Sequence, residues 1–331
     1  MAVIRPPGGD LKKGEVMAFP VLLFVLLFPL VHGFTPRITA VVTGGNRGLG
    51  LAISDLLAEV GYHVILTARN AEEGQARVAD IQRRHGQNRC EFMALDVSEP
   101  KSIKAFVDQM KRNEEMRGGV PHVLINNAGI CVRDEDAAAA VEGSGGREGV
   151  YRSVFDINTW APVALMEACL PGMCKHRFGC IVNISSGDGE LAYLHSEVAK
   201  RLKRVRSLAE LKQFSDWVAQ MQQEGPWPRG EGLAPVSWPA YSFSKAVLNA
   251  ATRLLQSRVD ALVSKDMKVR AHQPRIVAIC PGDVNTAMCD EHAAHDALSP
   301  EQAALDVVWA VLHSKECHGG YFYRARRAIP W

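Results

Sequence analysis

From Arg37 onward, short β-rich apolar runs alternate with stretches of helical periodicity, and that order leaves few folds open. The apolar runs are Ile38–Gly44, His63–Arg69, Cys90–Val97, His122–Gly129, Cys180–Gly187 and Arg275–Gly282. Helical spacing marks Leu51–Val60, Glu72–His85, Lys101–Arg112 and Val150–Lys175, the last with Pro162 inside it. It marks also a stretch headed by Pro239 that continues through Val247, Leu248, Ala251, Leu254 and Leu255. Runs that are apolar on both faces, separated by helices, predict an α/β fold. Its core would be a doubly wound parallel sheet covered on both sides, with the ligand at the carboxyl ends of the strands.

Two stretches interrupt the alternation. Asp134–Gly149 is small, polar and glycine-rich and reads as a mobile loop. Asp188–Pro239 is a long insertion before the Pro239 helix, helical and charged over Glu197–Gln223, with its end rich in Pro, Gly and Trp. The basic cluster Lys200, Arg201, Lys203, Arg204 and Arg206 reads as a solvated helix face. With 331 residues, 47% hydrophobic and 22% charged, the chain suffices for one large core. A net charge of +2 gives no reason to expect a nucleic-acid partner. The 8 cysteines show neither Cys-x-x-Cys nor zinc-finger spacing, so buried thiols are expected and no metal site.

The amino-terminal segment, residues 1–36, stands apart from the domain expected over 37–331. Val16–Val31 is an uncharged apolar run preceded by Lys12 and Lys13, a pattern that suits a secretory signal or short anchor. The expectation is a secretory-pathway, endoplasmic-reticulum or membrane-associated protein, with a cytoplasmic one as the alternative. The run is short for a span, which needs about 20 residues, and Pro20 and Pro29 interrupt it.

Thr43–Gly50 follows the first strand and opens the first helix, the context that lets a glycine loop receive a pyrophosphate on a helix N-terminus. Gly44, Asn46, Arg47, Gly48, Leu49 and Gly50 are its candidate cofactor-binding residues. The second strand ends Thr67-Ala68-Arg69-Asn70, without the carboxylate that would bond a ribose 2′-hydroxyl. Arg69, flanked by Arg47, can instead pair with a 2′-phosphate, which points to NADP(H). Asp96 and Val97 end the third strand, where the carboxylate could accept from an adenine amine. Asn127, Ala128 and Gly129 end the fourth, and Asn126 and Asn127 can lock the sheet's backbone. Ser185 and Ser186 end the fifth. Tyr241 and Lys245 lie one turn apart on one helix face, where an ammonium can acidify a phenol.

Together these residues resemble the classical short-chain dehydrogenase/reductase family, from about Ile38 to Met288, through TGGNRGLG, Asp96, NNAG, Asn158, the Ile184-Ser185-Ser186 strand end, YSFSK and PGDVNTAM. The resemblance implies a Rossmann-type fold in which Ser186 holds the substrate oxygen and Tyr241 is the acid/base. It implies also that Lys245 binds the nicotinamide ribose and lowers the Tyr241 pKa, and that Asn158 anchors a water in a proton relay. Pro281, Gly282, Val284 and Thr286 would line the nicotinamide side. The insertion 188–239 before Tyr241 looks like that of the carbonyl reductase group, which implies a monomer and a small carbonyl substrate: an aldehyde, ketone or quinone reduced with NADPH. An NADP-dependent alcohol or steroid-type dehydrogenase, using the same residues, is the alternative. A catalytically silent NADP(H)-binding membrane-tethered protein is the third reading. Asp283 stands where carbonyl reductases often have tryptophan, which makes the substrate wall more polar.

Overall fold

The computed structural model describes residues 37–113, 116–132, 146–224, 239–262, 273–288, 297–317, 319–320 and 322–329. Its strands are β1 (Thr39–Val42), β2 (His63–Ala68), β3 (Cys90–Ala94), β4 (Val123–Asn126), β5 (Cys180–Ile184), β6 (Arg275–Cys280), β7 (Phe322–Arg324) and β8 (Arg327–Ile329). They form one sheet in the order β3-β2-β1-β4-β5-β6-β7-β8. Every pair is parallel except β7–β8, an antiparallel hairpin at the edge. The strand order reverses between β1 and β4, which opens a crevice at the carboxyl ends of those two strands.

The helices are α1 (Gly48–Glu59), α2 (Ala71–His85), α3 (Pro100–Arg112), α4 (Gly146–Phe155), α5 (Ala161–His176), α6 (Ser196–Arg204), α7 (Leu208–Gln220), α8 (Pro239–Leu262) and α9 (Pro300–Leu312). Alternate strand residues face opposite layers. Val41, Ile65, Leu124, Ile181 and Ile276 pack with α3, α5 and α8. Their neighbours Val42, Val64, Leu66, Ile125, Val182 and Val277 pack with α1, α2 and α9. Each is essentially inaccessible to water, and such burial stabilises by roughly 1.5–3 kcal/mol per side chain.

Three segments differ from the pattern expected from sequence. The helix anticipated over Val150–Lys175 is two helices joined by a π turn, Asp156–Trp160, in which the Ala161 N–H bonds the Asp156 carbonyl. Pro162, in the first turn of α5, has no N–H to give the Asn158 carbonyl, and that accounts for the break in the α-ladder. The helix anticipated over Glu197–Gln223 breaks at Val205–Ser207, where Ser207 caps α7 by accepting from the Glu210 N–H at 3.1 Å. Within the insertion, Val198, Leu202, Leu211, Phe214 and Val218 belong to the same core as Phe243 and Val247 of α8. Arg152 of α4 also pairs with Asp216 of α7 at 3.0 Å. The loop anticipated over Asp134–Gly149 lies mostly outside the described residues; its last part, from Gly146, is helical.

The membrane reading is corrected. Among the described residues no helix is long and apolar enough to cross a membrane. α8 has 24 residues but carries Lys245, Asn249, Arg253 and Arg258 along its length. That finding overturns the membrane association, the secretory or endoplasmic-reticulum location and the signal-or-anchor assignment. Val16–Val31, on which they rested, lies outside the described residues.

Candidate active site

The carboxyl ends of β1 to β6 carry the sequence-selected residues to one rim. Thr43 ties the first of these ends to the fourth: its hydroxyl accepts from the main-chain N–H groups of Asn127 and Ala128, each at 2.9 Å. The Asn127 amide donates to the carbonyls of Thr43 at 2.8 Å and Gly44 at 3.2 Å. A Cβ on Gly50 would sit 2.3 Å from the Gly44 carbonyl and 2.4 Å from the Asn127 amide nitrogen, so only glycine lets α1 approach this closely. Gly48 has φ +52° and faces Thr286, whose methyl a Cβ would meet at 3.1 Å. No side chain caps α1, which leaves its first-turn amides for an anion. Leu49 is buried in the core, so what it offers a ligand is its main-chain N–H. Asn46 donates to Glu73 at 2.8 Å.

Arg47 and Arg69 are exposed beside this loop. Arg69 is near enough to act on Asp96, whose carboxyl is held below its ordinary range by hydrogen bonds from Ser98, with Arg69 adding to them. Val97 is partly buried against the core. Pro281, Gly282, Val284 and Thr286 follow β6 in a loop fixed by bonds between Leu298 N and Asp283 O at 2.8 Å and between Asn285 N and Leu298 O at 2.9 Å. These features fit a dinucleotide: an open helix N-terminus, backbone without side chains at the points of approach, and two arginines beside it, Arg47 in the glycine loop and Arg69 at the end of the second strand.

α8 brings Tyr241 and Lys245 to the end of β5. The Tyr241 phenol hydrogen-bonds Ser186. The Lys245 ammonium donates to the Ile184 carbonyl at 2.7 Å and lies 5.3 Å from the Tyr241 ring centre. Burial pushes the Tyr241 phenol up and the Lys245 ammonium down, the latter to about 8. For the phenol desolvation is the largest cause and outweighs the Ser186 hydrogen bond, which acts in the lowering direction expected for the site with the nicotinamide bound. Asn158, in the π turn, is satisfied by protein atoms. It accepts from Ile130 N at 2.8 Å and donates to Ile130 O at 2.8 Å and Ser244 Oγ at 3.0 Å.

Sequence reasoning passed over three neighbours. Cys280 accepts from Gly187 N at 3.1 Å, and Cys131 is close enough to act on both Tyr241 and Lys245. Asp188, half-buried, contacts Ser186 twice. Its signal was a carboxylate two residues beyond a strand-end serine, the spacing of a local side-chain turn.

Residues 38–198 match the family model described as short chain dehydrogenase. Carbonyl reductase 3 (NADPH) of Rattus norvegicus is 31% identical over 286 residues, covering 85% of this chain and 94% of the relative. This chain is a member of the short-chain dehydrogenase/reductase family. It is also similar to (+)-neomenthol dehydrogenase of Arabidopsis thaliana, 30% identical with 88% and 97% covered. The solved structure of salutaridine reductase from Papaver somniferum shares the fold, with a TM-score of 0.67 at 24% identity, covering 87% of this chain and 99% of that one. As a member of this family the chain is an oxidoreductase acting on carbonyl and alcohol groups.

Proposed function

We propose that the protein interconverts a carbonyl compound and its alcohol with NADP(H), using Tyr241 as the proton donor and acceptor. The observation that carries this reading is the Tyr241 phenol bonded to Ser186 with the Lys245 ammonium one helical turn away, at the mouth of a crevice suited to a dinucleotide. Relatives named NADPH carbonyl reductase support the choice of cofactor, as does a solved short-chain oxidoreductase in complex with NADP. Arg69 and Arg47 supply the charge for its 2′-phosphate.

When bound, the nicotinamide supplies or takes a hydride at the carbonyl carbon. Ser186 orients the substrate oxygen, and Tyr241 gives it a proton in reduction or removes one in oxidation. Lys245 would hold a ribose hydroxyl of the cofactor, and its positive charge favours the tyrosinate left after proton transfer. Asn158 fixes the backbone at Ile130, on the same rim.

The assignment is to the carbonyl/alcohol pair rather than to a reductase specialised for aldehydes or quinones. Similar proteins are named both as reductases and as a dehydrogenase, which favours the alcohol-dehydrogenase alternative over a one-directional carbonyl reductase. Purified protein should turn over members of a ketone, quinone and secondary-alcohol panel, followed by NADPH absorbance in both directions. Tyr241→Phe should lower turnover by at least about 100-fold while NADPH binding stays within a few-fold. Near-normal turnover in that variant would remove Tyr241 from the reaction.

A further inference from the structure

The 3-10 turn after β5 holds a carboxylate beside the reacting serine. Ser186 Oγ lies 3.2 Å from Asp188 Oδ2, to which it donates, and 3.2 Å from Asp188 N, from which it accepts. Tyr241 makes a third bond to the same hydroxyl. The turn is clamped from two sides. Gly189 packs on α8, where a Cβ would come within 2.8 Å of the Lys245 carbonyl carbon, and its own carbonyl accepts from Asn249 at 3.3 Å. Gly187 N is held by Cys280 at 3.1 Å. Asp188 is thus a fixed neighbour of Ser186.

A serine hydroxyl has one proton and two lone pairs. With Asp188 ionised, the carboxylate takes that proton, and the Asp188 N–H and the Tyr241 phenol occupy the lone pairs. Ser186 then has no proton to give a substrate oxygen. With Asp188 protonated, its own O–H can donate to the lone pair that the Tyr241 phenol leaves when it turns to the substrate oxygen, and the serine proton is released toward the substrate. A bond of 3.2 Å is long for O–H···O, so the exchange costs little.

We propose that Asp188 is a positioning residue that sets whether Ser186 can donate to the reacting oxygen, so that its protonation raises the rate of carbonyl reduction. The inference rests on the roles given above to Ser186 and Tyr241. Charged and titratable groups reach the turn from every side: Glu190 on the turn itself, Tyr241 and Lys245 from α8, Cys280 and Asp283 from β6 and its loop, Cys131 from the end of β4, and Arg324 from β7. Burial holds the Asp188 carboxyl above its ordinary range, and Asp283 adds to it, while the Ser186 bond opposes both. The transition therefore moves up toward the pH at which the protein can be assayed.

The test is the pH profile of kcat/KM for reduction, measured on the full chain with NADPH and the best substrate from the panel. Wild type should show an acid-side step of roughly ten-fold, the worth of one added donor to a developing oxyanion. Asp188→Asn, whose amide donates to Ser186 at every pH, should lose the step and stay near the acid plateau. Asp188→Glu should recover a step. Thermal melting and NADPH binding establish that each variant is folded. A step of unchanged size in Asp188→Asn overturns the proposal, and so does an equal loss at all pH values in a folded, NADPH-binding variant. Tyr241→Phe, run in parallel, separates the two readings, because its retaining turnover would refute the site assignment whatever Asp188 does.

Discussion

Replacing Lys245 by methionine should stabilise the cofactor-free protein while abolishing its activity. The ammonium is buried beneath the sheet's rim with the Ile184 carbonyl as its hydrogen-bond partner. Burial lowers its pKa from 10.5 to about 8. At 1.36 kcal/mol per pH unit, keeping the charge in the folded state costs roughly 3 kcal/mol at neutral pH. The sign follows from proton counting. Between the folded and unfolded values the unfolded chain binds more protons, so wild-type stability rises with pH across that window. Below it the cost is present in full, and above about pH 10.5 it is gone. Lys245→Met removes the charge and fills the space with a similar apolar stem, although it leaves the Ile184 carbonyl without that donor, which returns about 1 kcal/mol. The variant should melt roughly 4–8 °C above wild type at pH 7, and the gap should close between pH 8 and pH 10.5. The assay is thermal or urea unfolding of both proteins, without cofactor, across that range. A variant less stable than wild type at pH 7, or a gap that ignores pH, would refute the argument.

Other consequences are more local. Arg69→Asp should erase or invert the preference for NADPH over NADH, a change of at least about ten-fold in the ratio of the two kcat/KM values, since one charge-assisted phosphate contact is lost and a repulsive one gained; an unchanged ratio would sink the Arg69 assignment. Gly50→Ala should cost about 1–3 kcal/mol and weaken cofactor binding, because the added methyl collides with main-chain atoms of the glycine loop that cannot step aside. Denaturant unfolding and cofactor titration measure both effects, and a neutral outcome would mean the loop is looser than its contacts indicate.

What could be read in the sequence were the features with strong local causes. β1, β2, β4, β5 and β6 are buried on both faces and show as apolar runs, β3 at the sheet's edge is buried only in part, and each site residue lies near a run's end or on the helix that follows. β7 and β8 were not recognised, because each has three residues and Arg324, Arg326 and Arg327 dominate the hairpin; its pairing comes from β6 rather than from its own pattern. The π turn at Asn158 was hidden for a related reason. Pro162 was visible, but a proline in the first turn of a new helix and a proline that kinks a continuous one look alike without knowledge of the carbonyls before it. The direction of the Tyr241 pKa in the cofactor-free protein was beyond sequence as well, because it depends first on how much water reaches the phenol.

The placement of Tyr241 and Lys245 depends on polar contacts that an apolar helix face could not replace. Asn126 of β4 donates to Asn183 of β5 at 2.7 Å, and Asn183 donates to Thr252 of α8 at 2.8 Å. Ser185 donates to Asn249 of α8 at 2.7 Å. Thr159, in the π turn, donates to the Ser244 carbonyl at 2.8 Å. All of these side chains are buried. Leucine or valine in their places would contribute as much burial, but they would accept a helix slid along its axis, because dispersion and the hydrophobic effect have little directional preference. A buried amide left without its partner costs about 1–3 kcal/mol, so a slide that breaks several such bonds at once is strongly opposed. The network therefore sets the register of α8 on the sheet, and with it the position of the phenol over Ser186, to the tolerance that proton transfer requires.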